Sequence, residues 1–423
     1  MAQTSTKSLR EIRRDLHEHA EAGWKEFRTT ALVAEELEER DFEVYLGPEA
    51  VNEDERLGVP PEDEVEAAVR RAREEGAPGS YLDRMEGITG AVAVKTYGDG
   101  SGPVVGVRVD MDALERTEAS DDDHRPAREG WASAHPNEMH ACGHDGHTAM
   151  GLGIAREFDE TGGFDGTLKL FFQPAEEGGR GGKPMSETAH LDDVEYMLAL
   201  HLGLGKETGT VVASYERPLA NAKVDATFEG EPAHAGGEPN AGRNALQAAA
   251  AAVQNLYAIP RHADGPTRIN VGQVHSPNPQ NIIAEHVTMR VEVRGRTADL
   301  NEYMLDSAHR ILDAAADMHD VDVSTSLYGK TTTFTGDEEL VDVVADAAAS
   351  VEGVTEVVDH FDFGGSEDAS YLIRTVQEQG GKGIYLGIGA SNVAGHHTAY
   401  FDIDEDALDI GVGAVTETIR NLD

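Results

Sequence analysis

Four short apolar runs constrain this chain more than any other feature: PVVGVRV, TLKLFF, VEYMLAL and GIYLGIG. None alternates strictly between apolar and polar residues, and runs of this length without alternation suit strands buried on both faces. Each leads into side chains that can hold a metal. The first delivers Asp110 and Asp112, the second Glu176 and Glu177 in QPAEEGG, the third His201, and the fourth His396 and His397 in GHHTAYFD. Ligands collect at the carboxyl ends of strands in open α/β sheets. Four such endings in the same sense predict an α/β catalytic domain.

Other segments fill in the organisation. Helical periodicity runs through LREIRRDLHEHAE and ALVAEELEER on either side of Gly23, and FEVYL follows as a strand. Residues 48–86 are polar, with a helix expected in DEVEAAVRRAREEG, and read as an insertion beside the main domain. Between about Tyr215 and Gly329 the rhythm changes. NAKVDATFEG, TRINVGQVH, HVTMRVEVRG and VDVSTSLYG read as strands, and RNALQAAAAAVQNLYAI and LNEYMLDSAHRILDAAADMH as helices. Their order, β-α-β-β-α-β, is that of a ferredoxin-like unit. The fourth strand-plus-histidine element returns only after it. The expected domains are therefore a discontinuous one, 1–214 with 330–423, interrupted by 215–329. A chain of 423 residues is in any case too long for one compact core.

The net charge is -44, with nine lysines, 26 arginines and 79 acidic residues. Such a surface repels nucleic acid. Acidic runs such as ASDDDH and FDIDEDALDI are interspersed with apolar segments, so they read as solvated faces. Self-repulsion at this density destabilises a fold in dilute buffer and is relieved in molar salt, where the Debye length falls to about 3 Å. Adaptation to a high-salt cytoplasm is the expectation. The opening MAQTSTKSLREIRRDLHEHA has no apolar core of an export signal, and no long uncharged apolar run occurs, so neither export nor membrane insertion is expected. The single cysteine excludes an internal disulfide and fits a reducing compartment.

That cysteine sits in MHACGHDGHTAM, among His140, His144 and His147 and beside Asp145. A thiolate and an imidazole two residues apart converge on one cation if they sit on a turn, which Gly143 permits. HTAMGLGIAREF continues as a helix, so the cluster lies at a helix N-terminus, where the partial positive charge favours a thiolate. A buried structural cysteine and a nucleophilic cysteine with a histidine base are the competing readings. Adjacent Glu176 and Glu177, on extended backbone, would point to opposite sides. One can then ligate metal while its neighbour faces a bound water, and two like charges this close raise the pKa of one of them. A histidine such as His201 at the end of a buried strand is by itself more often structural than a ligand. Asp110 and Asp112 are either ligands or carboxylates holding a histidine's far nitrogen.

Together RRDLHEHAEAGWKEFRTT, GVRVDMDALE, HACGHDGHTA, FQPAEEGGRGG, AHAGGEPNAGRNAL, GGSEDAS and GHHTAYFDIDEDAL resemble peptidase family M20 in its amidohydrolase branch. The stretches fall in family order over nearly the whole chain. LGPEAVNEDERLG, REEGAPGSYLDRMEGITG and HRPAREGWAS resemble the insertion of members that act on p-aminobenzoyl-glutamate and related acyl-glutamates. The resemblance implies a zinc-peptidase-like mixed-sheet catalytic domain, a smaller dimerisation domain, and two divalent cations, manganese or zinc. By resemblance the cations are held by Cys142, His144, Glu177, His201 and His397, with Asp112 and Asp145 behind them. Glu176 is then the general base for attack of water on an amide, and His234, of this chain or of a partner subunit, stabilises the oxyanion. Asn281 and Arg294 would hold the substrate's α-carboxylate. The implied activity is hydrolysis of N-acyl or N-aroyl amino acids, by a homodimer or by a heterodimer with a homologous partner. The alternatives are a broad-scope aminoacylase or peptidase, and a non-catalytic partner subunit that binds metal.

Overall fold

The computed structural model describes residues 7–422. The chain divides into two compact units. One comprises Met1–Glu216, Phe334–Phe363 and Asp368–Asp423; the other comprises Arg217–Thr333 and Gly364–Glu367.

The larger unit begins with α1 (Leu9–Glu18), α2 (Phe27–Glu38) and β1 (Glu43–Leu46). A capping box starts α1: the Ser8 hydroxyl accepts from the Glu11 amide, and the Glu11 carboxylate accepts from the Ser8 amide at 2.8 Å. The insertion carries α3 (Glu62–Glu74) and α4 (Gly79–Met85). It is no loose appendage, since Ala68, Ala72, Leu82 and Met85 are buried in the same core as α2. Then come β2 (Ala91–Thr96), β3 (Val104–Asp110), α5 (Arg125–Glu129), α6 (His144–Thr161), β4 (Thr167–Gln173), α7 (Gly182–Ser186), β5 (Tyr196–Leu202) and β6 (Thr210–Glu216).

The smaller unit follows as β7 (Ala220–Glu229), α8 (Ala245–Leu256), β8 (Thr267–His275), β9 (His286–Gly295), α9 (Ala298–Met318) and β10 (Asp322–Thr331). Its four strands form one antiparallel sheet in the order β10-β7-β9-β8. Side chains of β9 alternate between buried and half-buried along its whole length. The buried set, with Ala222, Val224, Ala226 and Phe228 of β7, packs on Ala248, Ala252, Leu305 and Leu312 of the two helices. The sequence-predicted ferredoxin-like order is therefore present, one sheet face carrying the helices.

The chain returns to the larger unit with α10 (Glu338–Ala349), β11 (Glu356–Asp362), α11 (Ala369–Glu378), β12 (Lys382–Ile388) and α12 (Asp406–Arg420). Eight strands make a mixed sheet in the order β1-β2-β4-β3-β5-β12-β6-β11. At its centre β4, β3, β5 and β12 are mutually parallel. These are the four apolar runs, and each is half-buried at its first residue and buried at the other six. Their carboxyl ends share one edge. Residues of α1, α2, α6, α10 and α12 form the core on one face of the sheet, and those of α7 and α11 form the core on the other. Three strands, β2, β6 and β11, escape the sequence reading. The edge strand β11, EVVDHFD, has an exposed and charged second half, and neither β2 nor β6 ends in a side chain that draws notice.

Candidate metal centre

Cys142 and His144 reach the centre through the turn that starts α6. Gly143, the N-cap, has φ +94°, a left-handed value that any side chain would strain. The turn sits against β5, whose penultimate residue is His201, and Cys142 Sγ lies 3.5 Å from His201 Nε2. From the far end of the chain comes His397, at φ +60°, its amide tied to the Ala141 carbonyl at 2.8 Å. His397 Nε2 lies 3.3 Å from Glu177 Oε1. Two ligand groups result, Cys142-His144-His201 and Cys142-Glu177-His397, each with its donor atoms within 4.8 Å of one another. Cys142 belongs to both. His144, Glu176 and Glu177 form a third such group. Among the described residues five sequence-predicted ligands thus converge, with Glu176 next to them.

Hydrogen bonds behind the imidazoles orient them. His144 Nδ1 lies 2.9 Å from the Asp112 carbonyl, and His201 Nδ1 lies 2.8 Å from the Leu202 carbonyl. With Nδ1 engaged there, each ring turns Nε2 to the cluster as the nitrogen that would bind a cation. His144 Nε2 is buried without a hydrogen-bond partner, and Glu177 Oε1 is buried with the His397 ring beside it at 3.3 Å. Leaving such a nitrogen unsatisfied costs about 1–3 kcal/mol, and a cation there removes that cost. The donor set of thiol, imidazoles and carboxylate fits a divalent metal. The charge balance agrees: hydrogen bonds to Cys142 and Glu177 push His397 up to about 10. Burial opposes a charge on His144, but Asp110, Cys142 and Asp112 hold its pKa well above the usual value. The anions of the site attract positive charge.

Several expectations need correction. The helix N-terminus does not lower the thiol pKa, because burial and the Glu177 carboxylate push Cys142 up. Glu176 and Glu177 lie on a tight turn, closed by Gly179 N–H to the Glu176 carbonyl at 2.7 Å, and not on extended backbone. Burial raises the Glu177 carboxyl, yet His397 and His144 outweigh it and hold the carboxyl below its ordinary value. Of the three imidazoles around Cys142, only His144 faces the ligand groups that contain the thiol. His147 straps β3 to β5, with Nδ1 on Asp110 at 2.5 Å and Nε2 accepting from the Leu202 amide at 2.8 Å. His140 is buried beside His17, its two nitrogens unpaired and its pKa pushed down to about 3 by burial. Asp145 turns away from the ligands, bonding Arg13 and His17 at 2.8 Å each. Choosing His397 over His396 matches the geometry, since His396 Nε2 turns to the Leu202 carbonyl at 3.3 Å.

In the smaller unit His234 is exposed, its Nδ1 accepting from the Gly236 and Gly237 amides at 3.1 and 2.9 Å. Asn281 lies beside it, its carbonyl accepting from the Ala235 amide at 2.9 Å. Arg294 is elsewhere, paired with Glu292 near the end of β9. At roughly 3.4 Å per residue, about 27 Å of strand separates His286, where β9 begins, from Arg294, and Asn281 lies five residues before His286. One copy of this unit does not bring those two together.

Buried carboxylates hold the Glu176–Glu177 turn, and of these the sequence reading passed over Glu26 and Asp368. Asp112 accepts from the Glu176 and Glu177 amides at 2.9 Å each. Glu26 accepts from the Ala175 amide at 2.7 Å, and Asp368 from those of Gly181 and Gly182 at 3.1 and 2.8 Å. Asp368 also takes bonds from Arg108 and Gln173 beneath the site. Only the SED of GGSEDAS offered a signal for Asp368, and nothing marked Glu26.

Comparison with known proteins agrees with the resemblance. The family model described as Peptidase family M20/M25/M40 matches residues 106–421. Indole-3-acetyl-aspartic acid hydrolase of Enterobacter agglomerans is 43% identical over 97% of this chain and 94% of its own length. One of the subunits of p-aminobenzoyl-glutamate hydrolase from Escherichia coli is 42% identical over the same shares. The crystal structure of an aminobenzoyl-glutamate utilization protein from Klebsiella pneumoniae superposes with a TM-score of 0.85 at 36% identity, covering 98% of this chain and 95% of that one. With the family model spanning most of the chain and these relatives covering nearly all of it, the chain belongs to peptidase family M20/M25/M40.

Proposed function

We propose that this chain is a metal-dependent amidohydrolase that cleaves N-acyl or N-aroyl amino acids, with p-aminobenzoyl-glutamate or a related acyl-glutamate as substrate. The observation that carries this reading is Cys142 shared by two ligand groups with Glu176 beside them. Two relatives bear names that join an aromatic acyl group to an acidic amino acid, which supports the substrate class.

Cys142, His144, Glu177, His201 and His397 would hold two cations, manganese or zinc. When bound, they supply Lewis-acid activation of water and of the amide carbonyl. Glu176 takes the proton of the attacking water and returns it to the departing amine. Asp112 keeps both glutamates in place through their amides. His234 donates to the tetrahedral oxyanion. Asn281 and Arg294 grip the α-carboxylate, Arg294 in a bidentate fork. Because Asn281 precedes β9 and Arg294 lies near its far end, a second chain supplies one of them, either another copy or a homologous protein; two relatives carry the word subunit in their names. Among the described residues no helix is long and apolar enough to cross a membrane, and we assign the enzyme to a high-salt cytoplasm.

Glu176→Gln is the direct test. It is expected to retain bound manganese and lose turnover on p-aminobenzoyl-glutamate by about 10²–10⁴-fold. A manganese-loaded variant of near-normal rate would refute the base. Chelation is expected to abolish hydrolysis by the parent.

A further inference from the structure

We propose that Arg180 is a positioning residue through which the 48–86 insertion braces the Glu176–Glu177 turn; the proposal rests on the roles given to those glutamates above. Arg180 is only 8% exposed. Its Nε donates to the Glu177 carbonyl at 2.9 Å and its Nη1 to the Gly58 carbonyl at 3.2 Å. One rigid guanidinium plane thus joins the turn to the insertion. The turn needs such a joint, because the two residues after Glu177, Gly178 and Gly179, have φ of +97° and +77° and little intrinsic stiffness. Fixing the Glu177 carbonyl fixes its peptide plane, and with it the direction in which its side chain leaves the backbone.

The surroundings are built for this guanidinium. A Cβ on Gly23 would lie 2.2 Å from Arg180 Nη2, so glycine alone leaves it room. Next to it, buried Trp24 at φ +67° sends its indole N–H to the Leu57 carbonyl at 2.8 Å, and the Arg56 guanidinium lies over the ring at 5.6 Å. Beyond Arg180, Lys183 pairs with Glu55, and the Asn52 amide donates to the Pro184 carbonyl at 2.9 Å. Residues 52–58 therefore clasp residues 180–184, which continue directly from the turn.

The test uses the full chain in molar salt, with Arg180→Ala, Arg180→Lys, Gly23→Ala and Glu177→Gln. Rates on p-aminobenzoyl-glutamate, manganese affinity by titration calorimetry and circular dichroism are measured for each. Arg180→Ala and Gly23→Ala are expected to lower kcat on the order of 10- to 100-fold and to weaken manganese binding, because small misplacements of reacting groups have effects of that size. KM is expected to stay within about twofold, since substrate contacts are untouched. Arg180→Lys, which keeps one carbonyl contact, is expected to fall between parent and Arg180→Ala, and added guanidinium to restore part of the Arg180→Ala rate. Parental kcat and manganese affinity in Arg180→Ala would overturn the proposal. If Arg180→Ala fails to fold, Gly23→Ala decides, because it keeps the arginine and displaces its head, the added Cβ otherwise meeting the Ala175 Cα at 3.1 Å; parental behaviour there overturns the proposal equally. Unchanged manganese affinity in Glu177→Gln would overturn the ligand reading itself, independently of Arg180.

Discussion

Glu26 is a buried carboxyl whose ionisation departs far from habit. Burial, and then the neighbouring Asp112 carboxylate, push its carboxyl from 4.5 up to about 8. The folded chain holds a proton there that the unfolded chain gives up near 4.5. The folded state therefore suffers no penalty from this group below about pH 4.5, loses stability progressively up to about pH 8, and bears the full penalty above it. Glu26→Gln mimics the protonated acid, with a carbonyl for the Ala175 amide and an NH₂ for the Thr89 hydroxyl, which lies 2.6 Å from Oε2. Urea unfolding of parent and variant is expected to coincide near pH 4.5 and to favour the variant, on the order of 5 kcal/mol, near pH 9. A difference that does not change with pH would show Glu26 already ionised at neutrality.

At the scale of elements, the site is a turn and a helix start set against four parallel strand ends. The turn hangs by its amides from Asp112, Glu26 and Asp368. Asp112→Asn leaves one acceptor for two amides, so one of the two glutamates loses its anchor. Cation affinity, read by titration calorimetry, is expected to fall about 10- to 100-fold; parental affinity would mean that the turn holds its shape without Asp112. The four central strands were legible because burial on both faces leaves an unbroken apolar run, and Glu177, His201 and His397 drew notice by following such runs; Cys142 and His144 stood out as a cluster, and the set of five came from the family resemblance. The turn was not legible. Glu26 and Asp368 come from segments about 150 and 190 residues away, and no local pattern announces that they meet at Ala175 and Gly181. His147 and Asp145 lie near Cys142 in sequence yet bond Asp110 and Arg13, since proximity in sequence does not say which face of α6 a side chain takes.

Across the whole molecule, the net charge of -44 outweighs any single contact. Repulsion among so many carboxylates is weakened as the Debye length shrinks. The melting temperature is expected to rise steadily from about 0.1 M to about 2 M KCl, by roughly 10 °C or more. A melting temperature indifferent to salt would remove the high-salt assignment while leaving the catalytic reading intact. The proposed catalysis depends instead on segments from residue 142 to residue 397 gathering around Cys142. The most direct measurement is anomalous scattering from crystals grown with manganese, compared between parent and Cys142→Ala. Two manganese peaks per chain are expected in the parent, both against Cys142, with at least one lost in the variant. A parent crystal with no peak at Cys142, or two peaks undisturbed by its removal, would contradict the shared-thiolate centre.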